Sequence, residues 1–439
     1  MHHVILGAGP AGVTAAETVR KQDPNAQITL IGGEPEPPYS RMAIPYLLHG
    51  NIDEQGTYLR QAPNHYDNLA INYVNARVEA LDHQNQSLNL SGPGASPALN
   101  SGSLNYDRLL IAAGASPMRP NIDGLDLPGV HTCWTLADAR EILKYAERGK
   151  SVVLLGAGFI GSIVLEALYA RGCDLTVVEI APRMVARMLD DTAGGMLKRW
   201  CETKGVSVLT NTKVQSIARK TGDATLSVSL STGTEIPAQL VVLAAGVRPN
   251  TGFLAGSDIL IQNGIRVDEY MQTSLPNIYA AGDCCEAIDI STGSHGVLAI
   301  QPTAVEHGRI AALNMTGGRT PHLGSLNMNV LDTMGLISSS FGLWQGSGSA
   351  TSDNARATNA DGYKYMRLEF DDDKLVGAQC IGLTEHVGML RGLIQTGCRL
   401  GGWKDKLKAA PERIGEAYIA AAQGAPAFGP TGPSVAYPV

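Results

Sequence analysis

Short apolar runs recur along the chain, and two of them lead directly into glycine-rich turns. The run HVILG at 3–7 is followed by a helix-compatible stretch, VTAAETVRKQ, and by a second run, QITLIGGE, which ends at Glu34. The segment 150–179 repeats this order with KSVVLLG, SIVLEALYARG and DLTVVE, which ends at Glu179. Continuous apolar runs of strand length that alternate with helical segments are typical of parallel sheets. The pattern therefore predicts two βαβ units.

Each turn between strand and helix carries the glycine pattern of a dinucleotide-binding site. The residues concerned are Gly7, Gly9, Pro10 and Gly12 in the first turn and Gly156, Gly158, Phe159, Ile160 and Gly161 in the second. In such a turn the glycines permit a tight bend, close approach to a pyrophosphate and close helix packing, and the helix N-terminus offers N–H groups to the phosphates. Glu34 and Glu179 stand where a carboxylate could accept hydrogen bonds from a ribose. One such turn in a chain with 50 glycines would be weak evidence for a dinucleotide-binding site, whereas two turns, each between a strand and a helix, are much stronger evidence.

Two further apolar segments extend these units. YDRLLIAAGASP at 106–117 and LVVLAAGVRPN at 240–250 both read as strands broken by Ala-Ala-Gly, each downstream of one glycine turn. Glycine at such a break allows close contact with a nucleotide. We therefore expect both segments to lie beside a cofactor.

The pattern changes after about residue 322. Segments 326–344 and 361–382 alternate like antiparallel strands, and 385–397 predicts a helix. The small-residue segment 91–104 predicts a surface hairpin loop, and the Pro/Gly-rich end, 424–439, predicts an extended segment.

Composition narrows the class of protein. A net charge of -7 and a pI near 5.8 argue against a general nucleic-acid binder. The seven cysteines include no CxxC pair, so neither a disulfide framework nor a metal site is indicated. No apolar run is long enough to span a bilayer, and the first residues do not resemble a cleavable leader. We expect a cytoplasmic protein.

The chain resembles the FAD-dependent pyridine-nucleotide oxidoreductases with two dinucleotide-binding domains. Its nearest relatives by resemblance are the ferredoxin and rubredoxin reductases, the flavin portion of the large nitrite reductase subunit, and the NADH oxidase and coenzyme A disulfide reductase group. Besides the glycine turns, the resemblance rests on PYSR at 38–41, AAG at 112–114, GVRPN at 246–250 and NIYAAGDC at 277–284. It covers about residues 1–320.

The resemblance implies an α/β fold with two Rossmann-like domains of the glutathione-reductase type and a C-terminal α+β domain. It assigns residues 1–115 and 247–322 to an FAD-binding domain and 116–246 to an NAD(H)-binding domain. Residues 323–439 would form a domain for dimerisation or for contact with a partner.

Individual cofactor-binding residues follow from the same resemblance. For FAD they are Gly7, Gly9, Pro10, Gly12, Glu34, Arg41, Val78, Ala113, Gly114, Asp283, Pro302 and Thr303, and for NADH they are Gly156, Gly158, Phe159, Ile160, Gly161, Glu179 and Gly246. Asp283 would bind the ribityl chain and Arg41 the phosphates, although a turn residue and a solvated arginine are the plain alternatives. In relatives the helix that opens at Gln301 points its N-terminus at the flavin pyrimidine ring, where its dipole favours negative charge. Glu179 favours NADH over NADPH, and Arg183 is the one residue that could weaken this preference.

The chain departs from its relatives where they carry catalytic side chains. Met42 stands at the position of the redox cysteine, so disulfide and cysteine-peroxidase chemistry is not expected there. Ile163 replaces a flavin-proximal glutamate, and the nearest acid is Glu166. Tyr46 replaces the lysine of rubredoxin reductases. Tyr46 and Glu166 are therefore the catalytic candidates, with packing and surface roles as their alternatives.

The cysteine pair and two histidines admit simpler interpretations. The pair Cys284-Cys285 could form a redox-active vicinal disulfide, but small buried residues are the plainer interpretation. His295 and His307 lack a second ligand at metal spacing and are expected to be structural, with His295 a weak acid/base candidate.

The function expected from the sequence is reduction of an acceptor by NADH through FAD. The acceptor could be a ferredoxin- or rubredoxin-like protein, a partner subunit or a small molecule, and the protein could be a homodimer or part of a heteromeric complex. An NADH oxidase that reduces O₂ and a non-catalytic flavoprotein that responds to NADH are the alternatives.

Overall fold

The computed structural model of the protein describes residues 1–93, 102–219 and 225–424. Most of the predicted loop at 91–104 and the predicted extended segment from 425 onward lie outside these residues. The helices are α1 Pro10–Gln22, α2 Ile44–His49, α3 His65–Asn68, α4 Leu136–Tyr145, α5 Phe159–Ala170, α6 Asp191–Thr203, α7 Gln301–Met315, α8 Val387–Thr396, α9 Trp403–Ala409 and α10 Ile414–Gly424.

The strands are β1 His2–Leu6, β2 Gln27–Gly32, β3 Ile71–Asn75, β4 Arg77–Asp82, β5 Ser87–Ser91, β6 Ser103–Asn105, β7 Arg108–Ile111, β8 Ala115–Pro117, β9 Val130–Thr132, β10 Ser151–Leu155, β11 Asp174–Val178, β12 Ser207–Leu209, β13 Val214–Arg219, β14 Leu226–Leu230, β15 Glu235–Ala238, β16 Leu240–Leu243, β17 Val247–Pro249, β18 Ile265–Arg266, β19 Ile278–Ala280, β20 Cys285–Asp289, β21 Ser294–Gly296, β22 Met328–Thr333, β23 Leu336–Gly342, β24 Ser352–Asn359, β25 Lys364–Asp371 and β26 Lys374–Ile381.

Two five-stranded parallel sheets organise the nucleotide-binding part of the chain. Their strand orders are β19-β7-β1-β2-β3 and β12-β11-β10-β16-β9. In each sheet the strand before the glycine turn is central, and its last four residues are buried, because it is covered on both faces. The two predicted βαβ units are therefore confirmed. The first sheet includes β19, which lies more than 160 residues after β7 in the sequence.

Close packing at the third glycine of each turn explains why a side chain is excluded there. A Cβ on Gly12 would lie 1.8 Å from the carbonyl oxygen of Gly7, and one on Gly161 would lie 2.1 Å from that of Gly156. Both distances are far below van der Waals contact, so the following helix reaches its strand only because these residues are glycines.

The described residues divide into two compact units. The first comprises Met1–Met184 and Cys201–Ser325, and it contains both parallel sheets. Short sheets complete it. The sheets β4-β5-β6 and β13-β14-β15 and the pair β8-β17 are antiparallel, whereas β18-β20-β21 is mixed, since β18 pairs with β20 in parallel. Among the described residues, every helix is too short or too polar to cross a membrane.

The second unit combines Val185–Trp200 with the described residues from Leu326 onward. Its core is the antiparallel sheet β22-β23-β26-β25-β24, and α8 packs on β23 and β26. The strands predicted within 326–344 and 361–382 and the helix predicted at 385–397 are present. The assignment of this region to dimerisation stays a prediction.

Candidate active site

A cavity of about 930 Å³ lies in the first unit, at the carboxyl ends of β1, β2, β7 and β19. This is the edge of an open α/β sheet at which ligands normally bind. The volume is near the upper end of the range for small-molecule sites, roughly 300–1,000 Å³. A cavity of this size can hold a dinucleotide.

The N-terminus of α1 forms one wall of this cavity. Gly9 precedes the helix, no side chain caps this end, and the first turn contains no acidic residue. Gly7, Gly9 and Pro10 line the cavity, and a Cβ on Gly9 would project into open space. The free N–H groups and the positive end of the helix dipole suit a pyrophosphate.

Glu34 and Arg41 form an ion pair at the side of the cavity. The hydroxyl of Tyr39 also donates to the Glu34 carboxylate, and Arg41 Nη1 donates to the carbonyl oxygen of Trp134 at 2.7 Å. The guanidinium stacks on the Trp134 ring, 5.4 Å from its centroid. Both predicted residues therefore lie in the cavity, where a ligand would meet them as a pair.

Asp283 lies in the cavity just beyond the end of β19. Burial raises the pKa of its carboxyl group, and the charge of Arg41 partly offsets that rise. Among the described residues no hydrogen bond reaches the Asp283 carboxylate, which is half-buried and open to the cavity. Ligand hydroxyls would satisfy it, so this site fits the ribityl chain of FAD.

The N-terminus of α7 reaches the same cavity beside Asp283. Gln301 and Ala304 line the wall, whereas Pro302 is exposed and Thr303 is buried outside the lining. No side chain caps this helix end. The remaining predicted FAD residues, Val78, Ala113 and Gly114, also line the cavity, and Gly12 is buried behind it.

The second glycine turn approaches the cavity through α5. The residues of α5 that line it are Phe159, Ile160, Ile163 and Val164. Gly156, Gly158, Gly161 and Gly246 are outside the lining. The α5 N-terminus, like that of α1, is preceded by glycine and has no side-chain cap. The uncapped N-termini of α1 and α5 therefore both border this cavity.

The carboxylate of Glu179 is fixed at the end of β11. It accepts hydrogen bonds from the backbone N–H groups of Ala157 at 2.6 Å and Ala181 at 2.7 Å. One of these donors lies inside the second glycine turn, so Glu179 stands at the turn to which it was assigned.

Comparison with known proteins places this geometry in a family. The family described as pyridine nucleotide-disulphide oxidoreductase matches residues 1–308. The chain belongs to this family. It is 35% identical over 323 residues to a NADH oxidase from Methanocaldococcus jannaschii, covering 72% of this chain and 70% of that one. It is 33% identical over 323 residues to a rhodocoxin reductase from Rhodococcus erythropolis, covering 73% of each.

A solved structure shares the architecture. The NAD-dependent persulfide reductase from A. fulgidus superposes with a TM-score of 0.82 at 28% identity, covering 92% of this chain and 78% of that one. The pyridine nucleotide-disulphide oxidoreductases use FAD and NAD(P)H, and the residues of this cavity fit both groups. The protein is thus an FAD-dependent NAD(P)H oxidoreductase.

The predicted catalytic residues do not line the cavity of this oxidoreductase. Tyr46 is 60% exposed on α2, and Glu166 lies on α5 one turn beyond Ile163, which does line the wall. Met42 is also part of the wall and is 45% exposed. The roles of Tyr46 and Glu166 stay predictions.

Cys133 and Trp134 are among the wall residues that the sequence analysis missed. Cys133 lines the cavity, where burial raises the pKa of its thiol to about 12, and Trp134 carries the stacked Arg41. They precede a helix in a segment without a glycine turn or a charged motif, so no sequence pattern indicated them.

Two further cysteines and two histidines make contacts that are typical of structural residues. Cys284 and Cys285 are free thiols, both buried, and burial raises the pKa of each. His307 is buried against Cys285, and His295 contacts the carbonyl oxygen of Val267 at 3.0 Å. Within the described ranges, no three His, Cys, Asp or Glu side chains are grouped as metal ligands.

Proposed function

We propose that the protein oxidises NADH and passes the electrons through FAD to a separate acceptor, in the first instance a small redox protein. When bound, FAD would supply the chemistry that accepts a hydride and releases electrons singly or in pairs. The proposal rests on one observation above all: Met42 occupies the cavity wall where a redox cysteine would stand. A thioether cannot form a thiolate, so this wall supports no disulfide relay.

Cys133 does not replace the missing thiol. Because its pKa is raised to about 12, almost none of it is ionised near neutral pH, and the thiolate is the reactive form. Electrons that reach this cavity must therefore leave it without a covalent sulfur intermediate. This favours direct transfer to an acceptor that approaches from outside.

The protein would hold the two cofactors with separate elements. The α1 N-terminus, Asp283 and the Glu34–Arg41 pair would bind FAD, and the α5 N-terminus would bind the pyrophosphate of NADH. Phe159 and Ile163 would border the nicotinamide, and their apolar side chains would exclude water from the site of hydride transfer.

Glu179 supports NADH as the preferred donor. Two backbone N–H groups hold its buried carboxylate at the end of β11, so it cannot swing away from an incoming ribose. A carboxylate there accepts from a free 2′-hydroxyl group and repels a 2′-phosphate. The same charge that attracts NADH would therefore exclude NADPH.

The relatives support two kinds of acceptor. The rhodocoxin reductase, at 33% identity, favours a protein acceptor, and the NADH oxidase, at 35% identity, favours O₂. The two proposals are separated by the rate at which the NADH-reduced protein is reoxidised. Protein reduced anaerobically with NADH is mixed in a stopped-flow instrument with a [2Fe–2S] ferredoxin, a rubredoxin or air-saturated buffer.

Reoxidation by a redox protein at least tenfold faster than by air supports the proposed function. Faster reoxidation by air would replace it with the oxidase function. Bound FAD that NADH does not reduce would contradict both and favour a non-catalytic flavoprotein. Met42→Leu serves as the matched control, since its reoxidation rate should equal that of the wild type.

A further inference from the structure

Ser40 and Gln301 join two parts of the cavity wall that are distant in sequence. Gln301 is the first residue of α7 and lines the cavity. Its side-chain oxygen accepts a hydrogen bond from the hydroxyl of Ser40 at 2.5 Å. Ser40 is buried and precedes Arg41 and Met42. The contact therefore ties the flavin-facing helix to the segment in which the redox cysteine is replaced.

In the structure the Gln301 amide is oriented with its oxygen towards Ser40. Because Ser40 occupies the amide oxygen, the amide nitrogen is directed away from Ser40. Among the described residues the nitrogen has no hydrogen-bond partner, and it is not sealed inside the protein. Its N–H groups are therefore available to a ligand in the cavity.

The surroundings of this amide favour negative charge on that ligand. The α7 N-terminus has no side-chain cap and no acidic residue in its first turn, so its dipole is unopposed there. Asp283 also lies in this wall, in the turn that packs on α7, and burial raises the pKa of its carboxyl group. A neutral N–H donor at Gln301 adds to the helix dipole without adding a second carboxylate.

We propose that Gln301 donates a hydrogen bond to the flavin of the FAD that the proposed function requires, and that Ser40 is the positioning residue that holds Gln301 in place. Transfer of a hydride from NADH leaves NAD⁺ and adds one proton and two electrons to the ring system, so its net charge becomes more negative by one. The Gln301 N–H and the α7 dipole stabilise that added charge. The pair thus sets how readily the protein is reduced.

The readout is the two-electron reduction potential of the bound FAD, measured spectrophotometrically against a reference dye without NADH. Gln301→Leu removes the donor, and we expect the equilibrium constant for reduction to fall about tenfold, which is about 30 mV for a two-electron couple. Gln301→Glu should lower the potential further, because a carboxylate repels the added charge. Ser40→Ala should lower the constant about threefold, or about 14 mV, and Ser40→Thr, which keeps the hydroxyl, should restore it.

Two controls distinguish a positioning role of Ser40 from a general structural effect of the substitutions. Ser87→Ala removes a hydroxyl of similar burial from β5, outside the cavity lining, and should leave the potential unchanged. In the Gln301→Leu background, Ser40→Ala should have no further effect, because Ser40 acts only through the amide. Potentials unchanged in both Gln301 variants, with FAD bound at wild-type stoichiometry, would overturn this inference and leave the proposed function standing. A protein that binds no FAD would overturn both.

Discussion

His307 should make the first unit sensitive to mild acid. Its ring is buried on α7, with Nδ1 3.4 Å from Cys285 Sγ and Nε2 3.5 Å from Ser325 Oγ. The ring of His322 packs edge-on at 4.7 Å. Burial, reinforced by His322, lowers the pKa of His307 to about 3, because a cation there would lack both water and a counter-ion.

The direction of the pH dependence of stability follows from which state of the protein binds the proton. In the unfolded chain His307 takes up a proton near its ordinary pKa of about 6.5, whereas in the folded protein it stays neutral until about pH 3. Acid therefore favours the unfolded state over the range between these values. At pH 5 the linkage amounts to about 2 kcal/mol for this one residue, and at pH 7.5 it is close to zero.

The assay is urea unfolding followed by far-ultraviolet circular dichroism at pH 7.5 and pH 5.0. We expect the His307→Gln variant to lose about 2 kcal/mol less than the wild type between the two pH values, because glutamine cannot be protonated. His49→Gln, at an exposed histidine, is the control and should behave like the wild type. Equal pH dependence in the wild type and His307→Gln would refute the reasoning.

Three further changes test the cofactor sites. Gly12→Val should abolish FAD retention, measured by absorbance at 450 nm, because a Cβ there would lie 1.8 Å from the Gly7 carbonyl oxygen. The control is Gly388→Ala, which should retain FAD because a Cβ at Gly388 would meet no atom within 4 Å. Glu179→Ser should raise kcat/KM for NADPH relative to NADH at least tenfold in steady-state assays, and an unchanged ratio would remove Glu179 from donor selection. Glu166→Gln should keep the rate of flavin reduction by NADH within about twofold of the wild-type rate in stopped-flow experiments, whereas a hundredfold loss would support a catalytic role for Glu166.

The parts of the site set by backbone geometry were predictable from the sequence. Gly12 and Gly161 are required because each helix approaches its own strand closely, and that requirement is local. Gly7 and Gly156 are required because both have a positive φ, and a Cβ there would also meet the carbonyl oxygen of Ala112 or Ala244. Asp283 was assigned from the resemblance of NIYAAGDC to the family's second FAD-binding motif, and it lies three residues beyond β19 at the carboxyl edge of the sheet.

The parts set by tertiary packing were not predictable. Cys133, Trp134 and the Ser40–Gln301 contact depend on segments that meet only in the fold, and none of them has a periodic or spaced pattern. The strand β24 was missed for another reason. It is an edge strand that buries little apolar side-chain area, so its residues do not alternate between apolar and polar.

The membership of Val185–Trp200 in the second unit could not be predicted from the sequence either. Asp190 accepts a hydrogen bond from the Tyr365 hydroxyl at 2.7 Å, and its backbone N–H donates to Gln379 at 2.9 Å. The partners lie about 180 residues later in the chain, and no local pattern encodes such a pairing.

The most direct test of the account is the visible spectrum of the purified protein after incubation with FAD and removal of unbound cofactor. The account predicts about one FAD per chain, bleached under argon by one equivalent of NADH and far less readily by NADPH. Protein that retains no flavin, or flavin that stays oxidised in excess NADH, would contradict it.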